Sequence, residues 1–285
     1  MPPQSARQSA SQGAPGAGEL FQILRDGRAR TRAELAQRTQ LARSTVTSRV
    51  DALLASGLLA PVGEAASTGG RPPARFAVNT SARVILAVDL GASHASLAVT
   101  DLGGTVLDEC TVPSEIADGP VKVLDAVARL CLDLLDRVGR SASEVAGIGI
   151  GVPGPVELAT GRPANPPIMP GWHDFDIPGH LGRTFDTTVL VDNDVNVMAL
   201  GEYVTRWADQ QHLIFVKVAT GIGSGIIAGG RLHRGAQGTA GDLGHVQVLD
   251  GDQQVVCRCG NTGCLEAVAA GPALVASLHA SGVDV

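Results

Sequence analysis

The spacing of apolar residues along this chain changes twice. The first eighteen residues, MPPQSARQSASQGAPGAG, are Ser, Ala, Gln, Gly and Pro with no apolar period, so 1–18 is expected to be a disordered arm. From Glu19 the period becomes helical. Leu20, Ile23 and Leu24 share one face, and Gly27 ends that helix. Thr31 followed by Glu34 three residues later is a capping box, which starts a second helix whose buried position is Leu35. After a turn over 39–41, Val46, Val50, Leu53 and Leu54 fall at i, i+4, i+7 and i+8, the stripe of a third helix. Its cap position holds Ala42, which offers no side-chain acceptor. Residues 60–78 then read as a two-stranded wing.

Beyond this point strands alternate with helices. Strands are expected over 84–88, 95–100 and 105–111, and the apolar run over 146–152 is a fourth. Between them Leu124, Val127, Cys131, Leu134, Leu135 and Val138 keep a 3.6 period through 120–138, stopped by Gly139. A strand over 188–191 opens onto Asp192-Asn193-Asp194 and a helix through Ala199 and Leu200, and 213–218 is a further strand. This is the pattern of an α/β domain. The organisation expected is an arm over 1–18, a three-helix winged head over 19–80 and an α/β body over 81–285.

Charge separates head from body. Residues 1–80 carry ten Arg and five acidic residues, a balance of +5, whereas the whole chain carries −6, leaving −11 for the body. A basic head on an acidic body points to nucleic acid as the head's partner. Opposite its apolar stripe the third helix presents Arg43, Ser44, Thr45, Thr47, Ser48 and Arg49, short hydroxyls between two guanidiniums. Such a surface suits phosphates and base edges of double-stranded operator DNA. Gly69-Gly70-Arg71-Pro72-Pro73 at the wing tip is a hook that carries Arg71 toward a minor groove. Half-site spacing on DNA makes a homodimer the expected assembly. No apolar run reaches the length of a bilayer span and the N-terminus lacks an apolar signal core, so the expectation is a cytoplasmic protein without a membrane partner.

Three of the five cysteines fall within eight residues, at Cys257, Cys259 and Cys264, and His245 precedes them. One imidazole and three thiolates complete a tetrahedron with no open position, so a structural Zn2+ is expected, with three neighbouring thiols as the plainer alternative. Gly260 and Gly263 allow the loop to fold so that the sulfurs converge.

The spacing of G-I-G-S-G-I at 221–226, Gly235, G-D-L-G-H at 241–245 and C-R-C-G-N-T-G-C-L-E at 257–266 resembles the ROK group of repressors, open reading frames and sugar kinases. The resemblance runs from about Val84 to the end of the chain, and the head resembles the repressor branch of that family. It implies an actin-like ATPase (ribonuclease H-like) fold with a phosphate loop at Asp89, Gly91 and Ser93 and a second at Thr220, Gly221 and Gly223. It further implies a sugar site at Gly154, Asn165, Asn193, Asp194, Asp242, His245 and Glu266, with Asp194 as the base that takes a proton from a sugar hydroxyl. Three residues depart from the family's kinases: Ala92 stands for a glycine, His94 for Asn or Lys, and Asp242 for Glu. Members of the family continue past the point where this chain stops, so the fold is expected to be incomplete at its C-terminus, with a truncated second lobe. The function implied is a DNA-binding transcriptional regulator of carbohydrate genes, a repressor that senses a sugar or sugar phosphate. The alternative is an ATP-dependent sugar kinase of the glucokinase type with an appended DNA-binding head, using ATP and Mg2+.

Overall fold

A computed structural model describes residues 16–64, 72–248 and 255–283 of the chain. Residues 1–15 of the arm expected over 1–18, and the wing tip with Arg71, lie outside the described residues; the arm's last residues, Ala17 and Gly18, are not disordered but open the first helix. The chain divides into two compact units, one taking the chain up to Val84 with Thr100–Leu107, the other Ile85–Val99 and the chain from Asp108 onward.

The first unit is built on three helices, α1 Ala17–Leu24, α2 Arg32–Thr39 and α3 Arg43–Ala55. Strands β1 Arg30–Thr31, β2 Leu59–Glu64 and β3 Ala74–Val78 form a sheet in the order β1-β3-β2. The capping box forms as the spacing predicts: Thr31 Oγ1 accepts from the Glu34 N–H at 3.2 Å, and the Glu34 carboxylate accepts from the Thr31 N–H at 2.6 Å. Ala42 caps α3 without a side-chain bond. Leu20, Leu24, Leu35, Val46, Val50 and Phe76 are fully or almost fully buried in one core. Leu54, expected in that core, is only half-buried at its margin. The short strand β1 was not legible, because two residues have no period.

The second unit takes most of β4 Val84–Leu90, β5 His94–Asp101 and β6 Val106–Pro113, followed by α4 Pro120–Arg137 and β7 Val145–Val152. A two-stranded ribbon comes next, β8 Val156–Glu157 with β9 Arg162–Pro163, then α5 Ile177–Phe185, β10 Val189–Asn193 and α6 Asp194–Arg206. The main sheet has the order β10-β7-β4-β5-β6, with β10 parallel to β7. Along β4 Val84, Leu86, Val88 and Leu90 are buried, so the period of two puts Asp89 on the opposite face. Helix α5 was not anticipated. It buries Ile177, Leu181 and Phe185 at i, i+4 and i+8 against β10, but its two glycines and the preceding prolines masked the period. The Pro-rich loop before it is anchored in the core at its end: Trp172 is fully buried and its indole N–H donates to the Ile116 carbonyl at 3.0 Å.

A second, antiparallel sheet has the order β11-β12-β13, from β11 His212–Val218, β12 Ile222–Ala228 and β13 Arg231–Leu232. Two helices, α7 Leu265–Ala269 and α8 Gly271–Ala280, end the described chain. The second phosphate loop, expected at Thr220, Gly221 and Gly223, is a shorter turn than its glycines imply. Gly223, Ser224 and Gly225 lie within β12, paired with Lys217, Val216 and Phe215 of β11. Only the residues between Val218 and Ile222 turn. The glycines in the strand serve packing: a Cβ on Gly225 would collide with Ala199 Cβ and stand 2.8 Å from the Val195 carbonyl, both on α6.

Gly225→Ala is therefore expected to push α6 from β12 and lower stability by about 1–3 kcal/mol. Gly149→Ala, on a strand where an added Cβ meets nothing within 4 Å, is expected to change stability little. Urea unfolding of the two variants beside the parent checks this contrast.

Candidate functional site

The passage from β10 into α6 sets the floor of a cleft. Asn193 is the N-cap of α6: its Oδ1 accepts from the Val195 and Asn196 N–H groups at 3.0 and 3.2 Å. Its Nδ2 donates to the Gly154 carbonyl at 3.0 Å, which pins the Val152–Pro155 turn to the helix start. Asp192 is tied sideways, accepting from Arg234 Nε at 2.8 Å and from Asn196 Nδ2 at 3.0 Å. Asp194 is left to face the cleft. It is buried, its Oδ1 accepts from the Val195 N–H at 2.9 Å, and its Oδ2 accepts from Lys217 Nζ at 2.8 Å.

Asp89 comes in from β4 on the other side of Gly151. A Cβ on Gly151 would stand 3.2 Å from Asp194 Cα and 3.4 Å from Asp89 Oδ1, so the absence of a side chain there lets the two acids approach. Burial raises the Asp89 carboxyl above its ordinary range and the Asp194 charge adds to this, while Lys217 and His94 oppose it. The His94 ring folds over Gly91, occupying the space that a Cβ there would take. Of the expected first phosphate loop, Gly91 and His94 line the cleft, Asp89 stands behind it, and Ser93 is exposed.

The opposite wall is built from the second sheet and the chain after it. Glu266 of α7 reaches back, and its Oε2 accepts from the Ile222 N–H at 3.0 Å, beside Gly221. Gly241 lies so close to β12 that a Cβ would strike the Ser224 carbonyl, and Ser224 Oγ donates to the Gly241 carbonyl at 2.9 Å. These contacts bring Asp242 and His245 to the cleft rim, with Asp242 Oδ1 at 3.9 Å from His245 Nε2. Burial raises the Asp242 carboxyl; His245 pulls it back and Glu266 pushes it further up. Gly154, Asn165, Thr220, Gly221 and Gly223 also line this cavity of about 430 Å3. Every residue of the expected sugar site is thus brought to one cleft. Two cationic side chains near the floor, Lys217 and Arg234, were missed. The available signal was a lysine interrupting the apolar run L-I-F-V-K-V immediately before a glycine-rich segment.

His245, Cys257, Cys259 and Cys264 converge as their spacing predicts, with their ligand atoms all within 4.8 Å of one another. Cys259 Sγ lies 3.8 Å from Cys264 Sγ, and Cys257 Sγ lies 3.5 Å from His245 Nδ1. Bonds of ~2.3 Å to sulfur and ~2.0 Å to nitrogen around a tetrahedral ion require separations of about 3.8 and 3.5 Å. The cluster can therefore hold a metal ion with little adjustment. Positive φ at Gly260 (92°) and Gly263 (73°) turns the loop as expected. Burial pushes the Cys264 thiol up to about 12 and raises Cys257. Cys259 is lowered against its burial by the Asn261 N–H and the neighbouring thiols.

In the first unit Arg43, Ser44 and Thr47 are exposed on α3 and Thr45 is half-buried. Arg49 differs from expectation. It turns back to α1, where its guanidinium pairs with Glu19 at 3.0 Å and its side chain is only 15% exposed.

A model of the ROK family matches residues 85–285, and a model of winged helix-turn-helix DNA-binding domains matches residues 20–60. The xylose repressor of Caldicellulosiruptor bescii is 32% identical over 261 residues, which is 90% of this chain and 64% of that protein. The chain thus spans slightly less than two thirds of the length of that relative. The crystal structure of a ROK family transcriptional regulator, a homologue of the Escherichia coli MLC protein, superposes with a TM-score of 0.77 at 25% identity, covering 93% of this chain and 67% of that one. A ROK family glucokinase from Streptomyces griseus, in complex with glucose and AMPPNP, superposes with a TM-score of 0.60 at 29% identity, covering 70% of this chain and 62% of that one.

Glu266→Ala removes the acceptor of the Ile222 N–H and is expected to lower stability by about 1–3 kcal/mol. Glu266→Gln retains an acceptor oxygen and is expected to lose less. Chemical unfolding of both variants in the absence of any sugar measures this separately from ligand contact.

Proposed function

This chain belongs to the ROK family, and from that premise we propose that it is a DNA-binding transcriptional regulator of carbohydrate genes, a repressor whose body senses a sugar or sugar phosphate. The observation that carries this reading is the union, in one polypeptide, of a winged helix-turn-helix head with a sugar-sized cleft lined by Asp194, Asp242 and Glu266. In this reading residues 19–80 form the DNA-binding head and 81–285 the sensing body. Arg43, Ser44, Thr45 and Thr47 meet the operator, together with Arg71 on the wing. Arg49 braces α3 against α1 and contributes less to DNA contact. Gly154, Asn165, Asn193, Asp194, Asp242, His245 and Glu266 surround the sugar. Asn193 does so mainly through the backbone that it holds, since its amide is already engaged with Gly154 and the start of α6.

Sugar binding shifts the population between two arrangements of the body and so changes DNA affinity. The protein works as a homodimer in the cytoplasm. Among the described residues no helix is long and apolar enough to cross a membrane. The His245, Cys257, Cys259 and Cys264 cluster holds a structural zinc that clips the start of α7, which bears Glu266, to the cleft rim. A second reading, an ATP-dependent glucokinase-type kinase, is favoured by one observation: Asp194 stands at the C-terminal end of a strand within a fold shared with the glucose-bound Streptomyces enzyme. In that reading Asp194 is the general base, and Asp89, Gly91, Thr220, Gly221 and Gly223 carry ATP and Mg2+.

The operator is to be selected from random duplex DNA and binding followed by gel shift at fixed salt. Arg43→Ala and Arg71→Ala are each expected to weaken binding roughly 10- to 100-fold, the range for loss of a base or phosphate contact. Hexoses, amino sugars and their phosphates are to be titrated calorimetrically, with ATP turnover followed in the same samples. Binding that shifts the gel without turnover supports the regulator. Turnover that disappears in Asp194→Asn establishes the kinase instead. Metal analysis of the purified protein is expected to find stoichiometric zinc, lost in Cys264→Ser together with several degrees of melting temperature, and retained in Cys110→Ser.

A further inference from the structure

Kinases of this fold work on a metal-bound nucleotide, and the floor of this cleft does not fit one. Asp89 and Asp194 flank Gly151, where Asp89 Oδ1 and Asp194 Cβ lie 3.4 and 3.7 Å from the position of an added Cβ. Two carboxylates on either side of one glycine repel, and a shared proton, a divalent cation or a fixed positive charge beside them relieves that repulsion. Here the fixed charge is present. Lys217 projects from β11, and its ammonium stands 2.8 Å from Asp194 Oδ2. It is one of two lysines in the chain; the other, Lys122, pairs with Asp118 away from the cleft. Both oxygens of Asp194 already accept hydrogen bonds, Oδ1 from the Val195 N–H and Oδ2 from Lys217. A magnesium ion demands oxygen ligands in near-octahedral geometry and retains several waters. An ammonium held on Asp194 both takes up that oxygen and repels a second cation. On the nucleotide side the His94 ring closes over Gly91, where a phosphate loop requires open backbone.

We infer that Lys217 is the specificity-determining residue of the cleft: it is a built-in cation that takes the place of a divalent metal beside Asp194, excludes a metal-bound nucleotide, and reserves the cleft for a metal-free carbohydrate. The carbohydrate as ligand rests on the regulator reading above. The exclusion of the metal rests on the ion pair alone. The ligand's hydroxyls then meet a salt bridge, with the remaining Lys217 N–H groups as donors and Asp194 as acceptor.

The test uses the full-length, zinc-loaded protein and manganese as the probe, with free Mn2+ read by electron paramagnetic resonance. The parent and Lys217→Arg, which retains the charge, are expected to bind no manganese in the cleft. Lys217→Met is expected to tighten manganese binding roughly tenfold or more, since the repelling charge is gone. The gain is expected to vanish in the double variant Lys217→Met/Asp194→Asn. Zinc content and circular dichroism verify folding, and Lys217→Gln repeats the comparison if methionine loosens the structure. Manganese bound by the parent and lost in Asp194→Asn overturns the inference. So does a Lys217→Met or Lys217→Gln protein that is folded and binds no more manganese than the parent. Sugar titrations of the same samples keep the two readings apart: a parent that binds no sugar overturns the sensor, while the manganese comparison still decides the role of Lys217.

Discussion

The cleft depends on the turn in which β10 becomes α6. A parallel strand ends there, and a helix begins one residue later, with Asn193 satisfying two of the helix's free N–H groups and holding the Gly154 turn. A helix start leaves N–H groups unpaired and carries partial positive charge, so an acid at its first position is electrostatically favoured. Asp194 occupies that position and is buried there. The two residues before it are tied by other bonds, Asp192 to Arg234 and Asn193 to Gly154, so Asp194 supplies the carboxylate of the cleft floor.

The second wall is held to this turn by close backbone approach. Glycines at 225 and 241 leave room for α6 and for the segment carrying Asp242 to press onto β12, and Glu266 secures the Ile222 end of the same strand. In this arrangement glycine acts less through flexible dihedrals than through missing volume. The cluster of His245, Cys257, Cys259 and Cys264 ends two residues before Glu266, and Cys264 is the N-cap residue of α7, which carries Glu266. A metal held there by Cys264 constrains the helix from which the carboxylate projects, linking loop closure to cleft geometry.

Electrostatics decide what the cleft can accept. Among the described groups, burial and mutual proximity raise Asp89 while Lys217 and His94 counter it. Asp89, Asp194, Lys217 and His94 bear on two possible tasks, supporting a metal-bound nucleotide or neutralising one another. The observed pairing of Lys217 with Asp194 favours the second.

Much of this was written in local pattern. The capping box at Thr31 and Glu34, the α3 stripe, the long period of α4 and the His-Cys spacing each depend on residues within one or two turns or one loop, and each formed as read. Where the signal was short or interrupted it failed: β1 has two residues, α5 contains Gly179 and Gly182, and a run of glycines read as a turn proved to be a paired strand. The ion pair of Lys217 with Asp194 joins residues 23 apart in the chain, that of Arg49 with Glu19 residues 30 apart, and the bond of Glu266 to Ile222 residues 44 apart. Which elements form, and which residue types reach the cleft and the cluster, follows from periodicity, capping and ligand spacing, all of which are local. Which charges neutralise one another follows from distances across the sheet and between sheets that no local period encodes.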